Sequence, residues 1–163
     1  MPPLAADERA TLEGWLDFYR TTLVGKCDGL DDEQLRTASA PPSPLTLLGL
    51  VQHMAEVERN WFRRVLLGEE IPRIYRPDVD PAGPDTGFDL ADDARLDDAR
   101  RIWAGEVERG RANCAGRGLD ETSPCMGGRV SLRWIYNHMI AEYARHAGHA
   151  DLIRERIDGA VGQ

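Results

Sequence analysis

The sequence predicts an all-α protein, a four-helix bundle with long connections after the second and third helices. Four amphipathic segments carry apolar residues at steps of three and four, the spacing that places them on one helix face. No stretch shows a convincing strand pattern, and there is no short-period repeat. The 163 residues, 42% of them hydrophobic, suffice for a sizeable core, so we expect one domain spanning residues 1–163.

The first predicted helix runs from Asp7 to Cys27, and its acidic first turn suits the positive end of the helix dipole. Its apolar residues recur at helical steps and are Leu12, Trp15, Leu16, Tyr19 and Leu23. Gly29 breaks the pattern, and the sequence DDEQL favours one further helical turn at Asp31–Leu35. We interpret this turn as part of the connection to the second long helix.

The second predicted helix begins near Ser43 and ends at Gly68. Ser43 suits the N-cap, Pro44 suits the first helical position, and glycine commonly follows a last helical turn. A broad apolar face is formed by Leu47, Leu48, Val51, Met54, Ala55, Val57, Trp61, Phe62 and Val65. His53 lies in the middle of this run, so we expect its imidazole to point inward or to lie at the edge of the buried face.

The third helix is predicted at Leu90–Cys114, with a strongly charged outer side. A connection rich in proline and glycine precedes it at Glu69–Phe88, and Gly116–Val130 follows as an irregular connection. Connections as long as the first are uncommon in compact domains. Such loops often act as functional lids, with irregular packing as the alternative.

The fourth predicted helix extends from the cap residue Ser131 to about Ile157, and it concentrates polar groups on one face. At about 100° per residue, positions 138, 142, 146 and 149 lie at roughly 0°, 40°, 80° and 20°. His138, Glu142, His146 and His149 therefore share an arc of about 80°. Imidazole and carboxylate groups are costly to bury alone, so this face favours a metal ion as their common partner.

A metal site would draw on two helices. Glu142 and His146 are four residues apart and can converge on one ion, while His146 and His149, three apart, could also share one. His53 would come from a facing helix. Three such ligands leave coordination positions open, as in catalytic zinc sites, and nitrogen and oxygen donors also suit nickel, cobalt or iron.

Other interpretations of these residues remain open on spacing alone. His138 could be a structural histidine. His149 could hydrogen-bond to a metal ligand and orient it without touching the metal. Glu142 could pair with Arg145 or with Arg133. Cys125 could react, but no adjacent base is evident, which favours an inert thiol. The sequence has no GxSxG, P-loop, GxGxxG or HExxH motif.

Charge and hydropathy exclude several function classes. The net charge of −8 argues against nonspecific nucleic-acid binding, which needs a basic face. No apolar run approaches the roughly 18 residues that favour a membrane-spanning helix. The start of the sequence lacks the basic-then-apolar pattern of a signal peptide, and the three cysteines form no CxxC. We therefore expect a cytoplasmic protein with free thiols.

Two stretches resemble a known family. They are LTLLGLVQHMAEVERNWFRRVLLGE and SLRWIYNHMIAEYARHAGHADLIRERIDG, and they are similar to the DinB-like superfamily, in particular its DUF664 branch. The resemblance implies a four-helix bundle that binds a divalent metal through His53, Glu142 and His146. Many members have histidine at all three positions, whereas glutamate at the middle one is similar to the mycothiol-dependent maleylpyruvate isomerases. His149 would then be a second-shell residue or an alternative ligand.

The resemblance also implies a function. Characterised relatives transfer or isomerise with low-molecular-weight thiols, so it favours a mycothiol-type S-transferase that uses zinc, or nickel, and acts on an electrophile. Arg145 and Arg129 could offer positive charge to an anionic substrate. Two alternatives are a metal-dependent hydrolase that activates water and a non-enzymatic metal-binding stress-response protein. The expected partners are a small thiol and an electrophile, and members often form homodimers.

Overall fold

The computed structural model describes residues 1–79 and 88–162, and most of this part of the chain is α-helical. It contains five α-helices and one two-stranded sheet, in the order α1 (Glu8–Gly25), α2 (Asp32–Arg36), α3 (Leu47–Arg59), α4 (Leu96–Cys114), β1 (Thr122–Cys125), β2 (Gly128–Ser131) and α5 (Leu132–Asp158). A π-helical segment at Asn60–Val65 continues α3. The predominance of helix is as predicted.

Several helix ends lie where their capping residues predict them. Asp7 caps α1 by accepting a hydrogen bond from the backbone N–H of Ala10. Ser131 caps α5 in the same way. Gly159 follows α5 in the left-handed region at φ 78°, where glycine carries no steric penalty. These residues confirm the predicted start and end of the helix that carries three of the four histidines.

The start of α3 differs from the prediction. Its N-cap is Thr46, whose hydroxyl accepts from the N–H of Gly49 at 3.0 Å, and not Ser43. The Ser43 hydroxyl instead accepts from the N–H of Leu45 at 3.3 Å, a local turn contact that competes with helix formation. Pro44 therefore lies before the helix, and the helix begins where the continuous apolar run begins.

The third long helix, α4, begins at Leu96 and not at Leu90 as predicted. Arg36 explains part of the difference, because its guanidinium donates to the carbonyls of Ala91 and Asp92. Ala94 closes a turn with Ala91 in the same segment. The carbonyls of Ala91 and Asp92 therefore accept hydrogen bonds from groups outside α4. The helix begins at Leu96, five residues after Ala91.

The predicted irregular connection Gly116–Val130 contains an antiparallel hairpin, so the absence of strands was a wrong prediction. Thr122 pairs with Ser131 and Cys125 with Gly128 across β1 and β2. Met126 and Gly127 form the two-residue turn, both with positive φ (49° and 76°), which is the type I′ pattern of tight hairpins. The hairpin leads directly into α5, and Ser131 is both its last residue and the helix cap.

The helices that carry the histidines lie side by side. α3 packs against both α4 and α5, and α1 packs along α5. The largest fully buried side chains are Tyr143, Phe62, Leu16, Leu23, Leu47, Leu48, Leu50, Met54, Leu132, Ile135, Met139 and Ile153. Within the described residues no helix combines the length and the apolar character that crossing a membrane requires.

A buried polar network joins the four long helices. Arg20 of α1 makes two 2.8 Å hydrogen bonds to the carboxylate of Glu58 on α3. Tyr143 of α5 donates to the same carboxylate at 2.7 Å, and Trp103 of α4 donates to the Tyr143 hydroxyl at 2.7 Å. Because a buried charge is tolerated only with such partners, the network sets how α3 faces α5.

The connection after the second long helix is described only in part. Residues 69–79 have neither helix nor strand, as predicted for Glu69–Phe88, whereas residues 80–87 lie outside the described part of the chain. Glu56 on α3 accepts hydrogen bonds from the backbone N–H groups of Ile74 and Tyr75 at 2.6 and 3.0 Å. This carboxylate anchors the first half of the connection to α3.

Candidate metal centre

Three side chains from α3 and α5 converge at one point. His53, Glu142 and His146 each offer one ligand atom, and these atoms lie within 4.8 Å of one another. The Nε2 atoms of the two histidines are 3.0 Å apart, and the Nε2 atom of His146 is 3.6 Å from a carboxylate oxygen of Glu142. The packing of α3 on α5 brings the residues together, so this group, which we call the triad, could hold a metal ion.

The donor set of the triad fits a divalent cation. Two imidazoles and a carboxylate are ligands that zinc and similar ions accept, and three of them leave a fourth position open. Ligand atoms about 2 Å from a shared tetrahedral ion lie roughly 3.3 Å apart. The observed 3.0 and 3.6 Å separations bracket that value.

The electrostatic environment keeps His146 neutral. Burial is the main cause, and the neighbouring His53 adds to it, so that the pKa of His146 falls to about 4, although Glu142 acts in the opposite direction. One ring nitrogen of His146 therefore carries a lone pair, and not a proton, at neutral pH. A neutral imidazole is the form that binds a metal, so no proton need be displaced from it.

His149 lies behind the triad and is not a member of it. Its Nδ1 atom is 3.3 Å from the Nδ1 atom of His146, on the side of that ring opposite the Nε2 atom that faces His53. A hydrogen bond there fixes the orientation and tautomer of the His146 ring. His149 was expected to be either a second-shell residue or an alternative metal ligand, and this position favours the second-shell role.

Arg145 lies at the solvent edge of the site. Its guanidinium donates to Glu142 at 2.6 Å, and its side chain is 56% exposed. The Glu142–Arg145 pair expected as an alternative to metal binding is thus present. Arg129, the other expected substrate-binding arginine, instead donates to the hydroxyl and carbonyl of Thr122 within the hairpin, and Arg133 pairs with Glu8.

Phe88 is a site residue that sequence reasoning missed. Its ring stacks on His53 with centroids 4.3 Å apart, and it lies 6.0 Å from the His146 ring. Its backbone also approaches Gly49, where a Cβ would meet the Phe88 carbonyl oxygen at 3.3 Å. The sequence carried no signal for this contact, because Phe88 is a single aromatic residue at the end of a connection.

His138 borders the triad on the other side. Its Nε2 atom is 3.8 Å from Glu142, and its ring lies 4.4 Å from that of Trp61 and stacks on Trp134 at 4.9 Å. Burial lowers the pKa of His138, so the ring is neutral at pH 7. The expected structural role is consistent with these contacts. Trp134 is 49% exposed.

A cavity of about 680 Å³ between α1 and α4 is a separate feature, and the triad does not line it. Its charged walls are already paired: Arg9 with Glu13 at 3.0 Å, and Arg111 with Asp17 at 2.8 Å. Cys114 also lines it, and burial raises the pKa of this thiol. The cavity thus offers neither an unpaired charge nor an activated nucleophile, and the triad remains the candidate site.

The family model described as mycothiol-S-transferase matches residues 11–159. The chain belongs to this family. The match begins inside α1 and ends just after α5, so it includes all three residues of the triad. No curated protein matches the chain. The mycothiol-S-transferase family confirms the thiol-related part of the expected resemblance, and it implies a small-molecule thiol as a partner.

Proposed function

We propose that this chain is a metal-dependent S-transferase that joins mycothiol to an electrophile. The observation that carries the proposal is the convergence of His53, Glu142 and His146 within 4.8 Å, in a chain of the mycothiol-S-transferase family. The resident ion is proposed to be zinc, with nickel as the next candidate. The four-helix-bundle architecture and the DUF664 branch of the DinB-like proteins belong to the same proposal.

The chemistry needs a thiolate at neutral pH, and a bound divalent metal lowers the pKa of a thiol that reaches its open position. Glu142 would hold the cation through its carboxylate, and His53 and His146 would hold it through imidazole nitrogens. His149 holds the ring of His146 in place. Phe88 covers one face of the His53 ring. The thiol proton would pass to solvent, and the sulfur would form a bond to an electrophilic carbon of the second substrate while a leaving group departs from that carbon with the bonding electron pair.

Arg145 is proposed to bind an anionic group on the electrophile. It lies beside Glu142 and is more than half exposed, so its guanidinium can turn towards solvent-borne ligands without leaving a buried site. The guanidinium of Arg129 instead donates hydrogen bonds to Thr122 within the hairpin and does not lie beside the triad. We therefore propose Arg145, and not Arg129, as the arginine that binds an anionic substrate group.

The test compares metal content and turnover in matched variants. We expect the purified protein to carry about one metal per chain and to conjugate mycothiol to a bimane electrophile. His53→Ala should lose both the metal and the activity, because two ligands from one helix bind weakly. His138→Ala is the matched histidine control, and its metal content should equal that of the parent protein.

Other outcomes would favour the alternatives. A metal-replete protein that hydrolyses esters or amides without thiol, and conjugates no thiol, would indicate the hydrolase that activates water. A protein without stoichiometric metal, whose unfolding temperature zinc leaves unchanged in both parent and His53→Ala, would indicate the non-enzymatic protein. Cytoplasmic location, one domain over residues 1–163 and a homodimer stay predictions, the last to be checked by light scattering.

A further inference from the structure

An aromatic strip leads from the triad to the surface, and we define it as Trp61, Trp134 and His138. Trp134, His138 and Glu142 follow one another at steps of four on α5, so they lie along one side of the helix. Side-chain exposure is 13% at Glu142 and 27% at His138, and Trp134 is 49% exposed. Exposure therefore rises from the triad towards Trp134.

The rings of the strip hold one another in place. His138 and Trp134 are nearly parallel, at 8° with centroids 4.9 Å apart, and Trp61 is tilted against both. Trp61 is only 8% exposed and acts as the floor. The half of Trp134 that remains exposed is thus a rigid aromatic surface, and a ligand that stacks on it would lose little side-chain entropy.

The two tryptophan rings of the strip carry no charge, which limits what they can bind. The carboxylate of Glu142, 3.8 Å from the Nε2 atom of His138, pairs with Arg145 at 2.6 Å. A neutral aromatic surface suits a ring with an apolar face. Sugar rings have such faces, because their axial C–H bonds stand perpendicular to the ring while the equatorial hydroxyl groups point outward. The face formed by these C–H bonds can lie flat on an indole.

The spacing also matches the thiol that the family name gives. In mycothiol a cysteinyl thiol is linked through an amide to a glucosamine–inositol pseudodisaccharide. Its sulfur is about 6 Å, five bonds, from the first sugar ring. Positions 134 and 142 are separated by about 12 Å along α5. A thiol whose sulfur lies at the triad is therefore long enough for its sugar rings to reach His138 and Trp134.

We propose that the exposed surface of Trp134, supported by His138 and Trp61, binds the pseudodisaccharide of mycothiol by stacking. The inference rests on the proposed function for the identity of the thiol. It adds a specificity determinant: the strip would distinguish mycothiol from thiols that lack a sugar. The triad would bind the sulfur, and the strip would bind the part of the molecule that does not react.

Binding is tested first with a ligand that cannot react, the N-acetylglucosaminyl-inositol pseudodisaccharide, which lacks the cysteine. Titrated into the full chain and followed by ligand-observed NMR, which does not depend on tryptophan, it should bind with a dissociation constant on the order of 1 mM, as a fragment of this size allows. Trp134→Leu should lose the binding, because leucine keeps apolar area but has no aromatic face. Trp134→Phe should retain most of it.

The matched control is Trp15→Leu. Trp15 is 38% exposed and also stacks on an aromatic neighbour, Tyr19, but it lies on α1. Its loss should leave binding unchanged. Equal binding by the parent and Trp134→Leu would overturn the inference, and so would the absence of binding by the parent up to the solubility limit of the sugar.

Kinetics give the second readout. For mycothiol, Trp134→Leu should raise KM about tenfold and leave kcat within about twofold, since stacking is equal in the ground and transition states. With cysteine as the thiol, parent and variant should have the same kcat/KM. Sugar binding requires neither metal nor turnover, so His53→Ala should still bind the pseudodisaccharide. A chain that binds the sugar but conjugates no thiol contradicts the proposed function and supports this inference.

Discussion

At the scale of single residues, the triad depends on side chains that would not touch a metal. His149 contacts the rear nitrogen of His146, and Phe88 covers His53. Supporting groups of this kind tune metal sites almost as strongly as the ligands do. The residues around the triad are therefore expected to contribute to metal binding in addition to the three proposed ligands.

We predict that His149→Ala weakens metal binding about 10- to 100-fold without abolishing it, because the His146 ring loses the hydrogen bond that orients it. Competition with a coloured chelator measures the affinity. His53→Ala, which removes a proposed ligand, sets the scale for complete loss. An affinity of His149→Ala equal to that of His53→Ala would mean that His149 is itself a ligand.

Spacing on one helix predicted much of the site. Glu142 and His146 lie on one face of α5 as the 3.6-residue period requires, and the resemblance singled out His53, which lies against them. Spacing could not separate His149 from Glu142 and His146 as candidate ligands, because that depends on which ring nitrogen faces the other side chains. Nor could it predict Phe88, whose position is set by the path of the chain after α3.

At the scale of secondary-structure elements, the hairpin before α5 carries a local conformational cost. Met126 has φ 49° and is 95% exposed, so its side chain makes few contacts that offset the left-handed backbone. The hairpin nevertheless positions Ser131, which caps the helix of the triad. Its turn is therefore a place where stability can be changed without touching the site.

We predict that Met126→Asn stabilises the protein by about 0.5–1 kcal/mol, because asparagine tolerates positive φ and Asn-Gly is the favoured type I′ turn. Urea denaturation measures the free energy of unfolding. Gly127→Ala is the control in the opposite direction, since alanine at φ 76° is strained and should destabilise. A lower stability of Met126→Asn would show that the turn is not of this type in solution.

The elements that were predicted less well share a physical cause. The strands have only four residues each and include Pro124, Gly128 and serines, so they show no apolar–polar alternation. The starts of α3 and α4 were misplaced because local hydrogen bonds from Ser43 and Arg36 compete with the helix. Long apolar periods predict the existence of a helix well, and its first turn poorly.

At the scale of the whole molecule, the network of Arg20, Glu58, Tyr143 and Trp103 connects all four long helices. Hydrophobic patterning alone allows helices to slide or rotate against one another. A buried ion pair with two further hydrogen-bond partners opposes such movement, because any shift leaves a charge without its partner. Two of its members, Glu58 and Tyr143, lie on α3 and α5, the same two helices that carry the triad.

We predict that Arg20→Leu destabilises the fold by about 3–5 kcal/mol, because it leaves the Glu58 carboxylate buried without its counter-charge. The double variant Arg20→Leu, Glu58→Leu should recover part of the loss. Denaturation of the two single variants and the double variant gives the coupling energy. Additive losses would show that the two residues act independently and that the network does not hold the helices together.

His53 and His146 are 93 residues apart in the chain. An ion shared by them would close that length of polypeptide into a loop, which is the topological effect of a cross-link that forms and breaks reversibly. Its contribution to the free energy of unfolding would grow with the logarithm of free metal concentration. In a cell starved of metal, the unfolded fraction would rise and proteases would remove more of it. The abundance of the protein would then follow metal supply without any dedicated regulator.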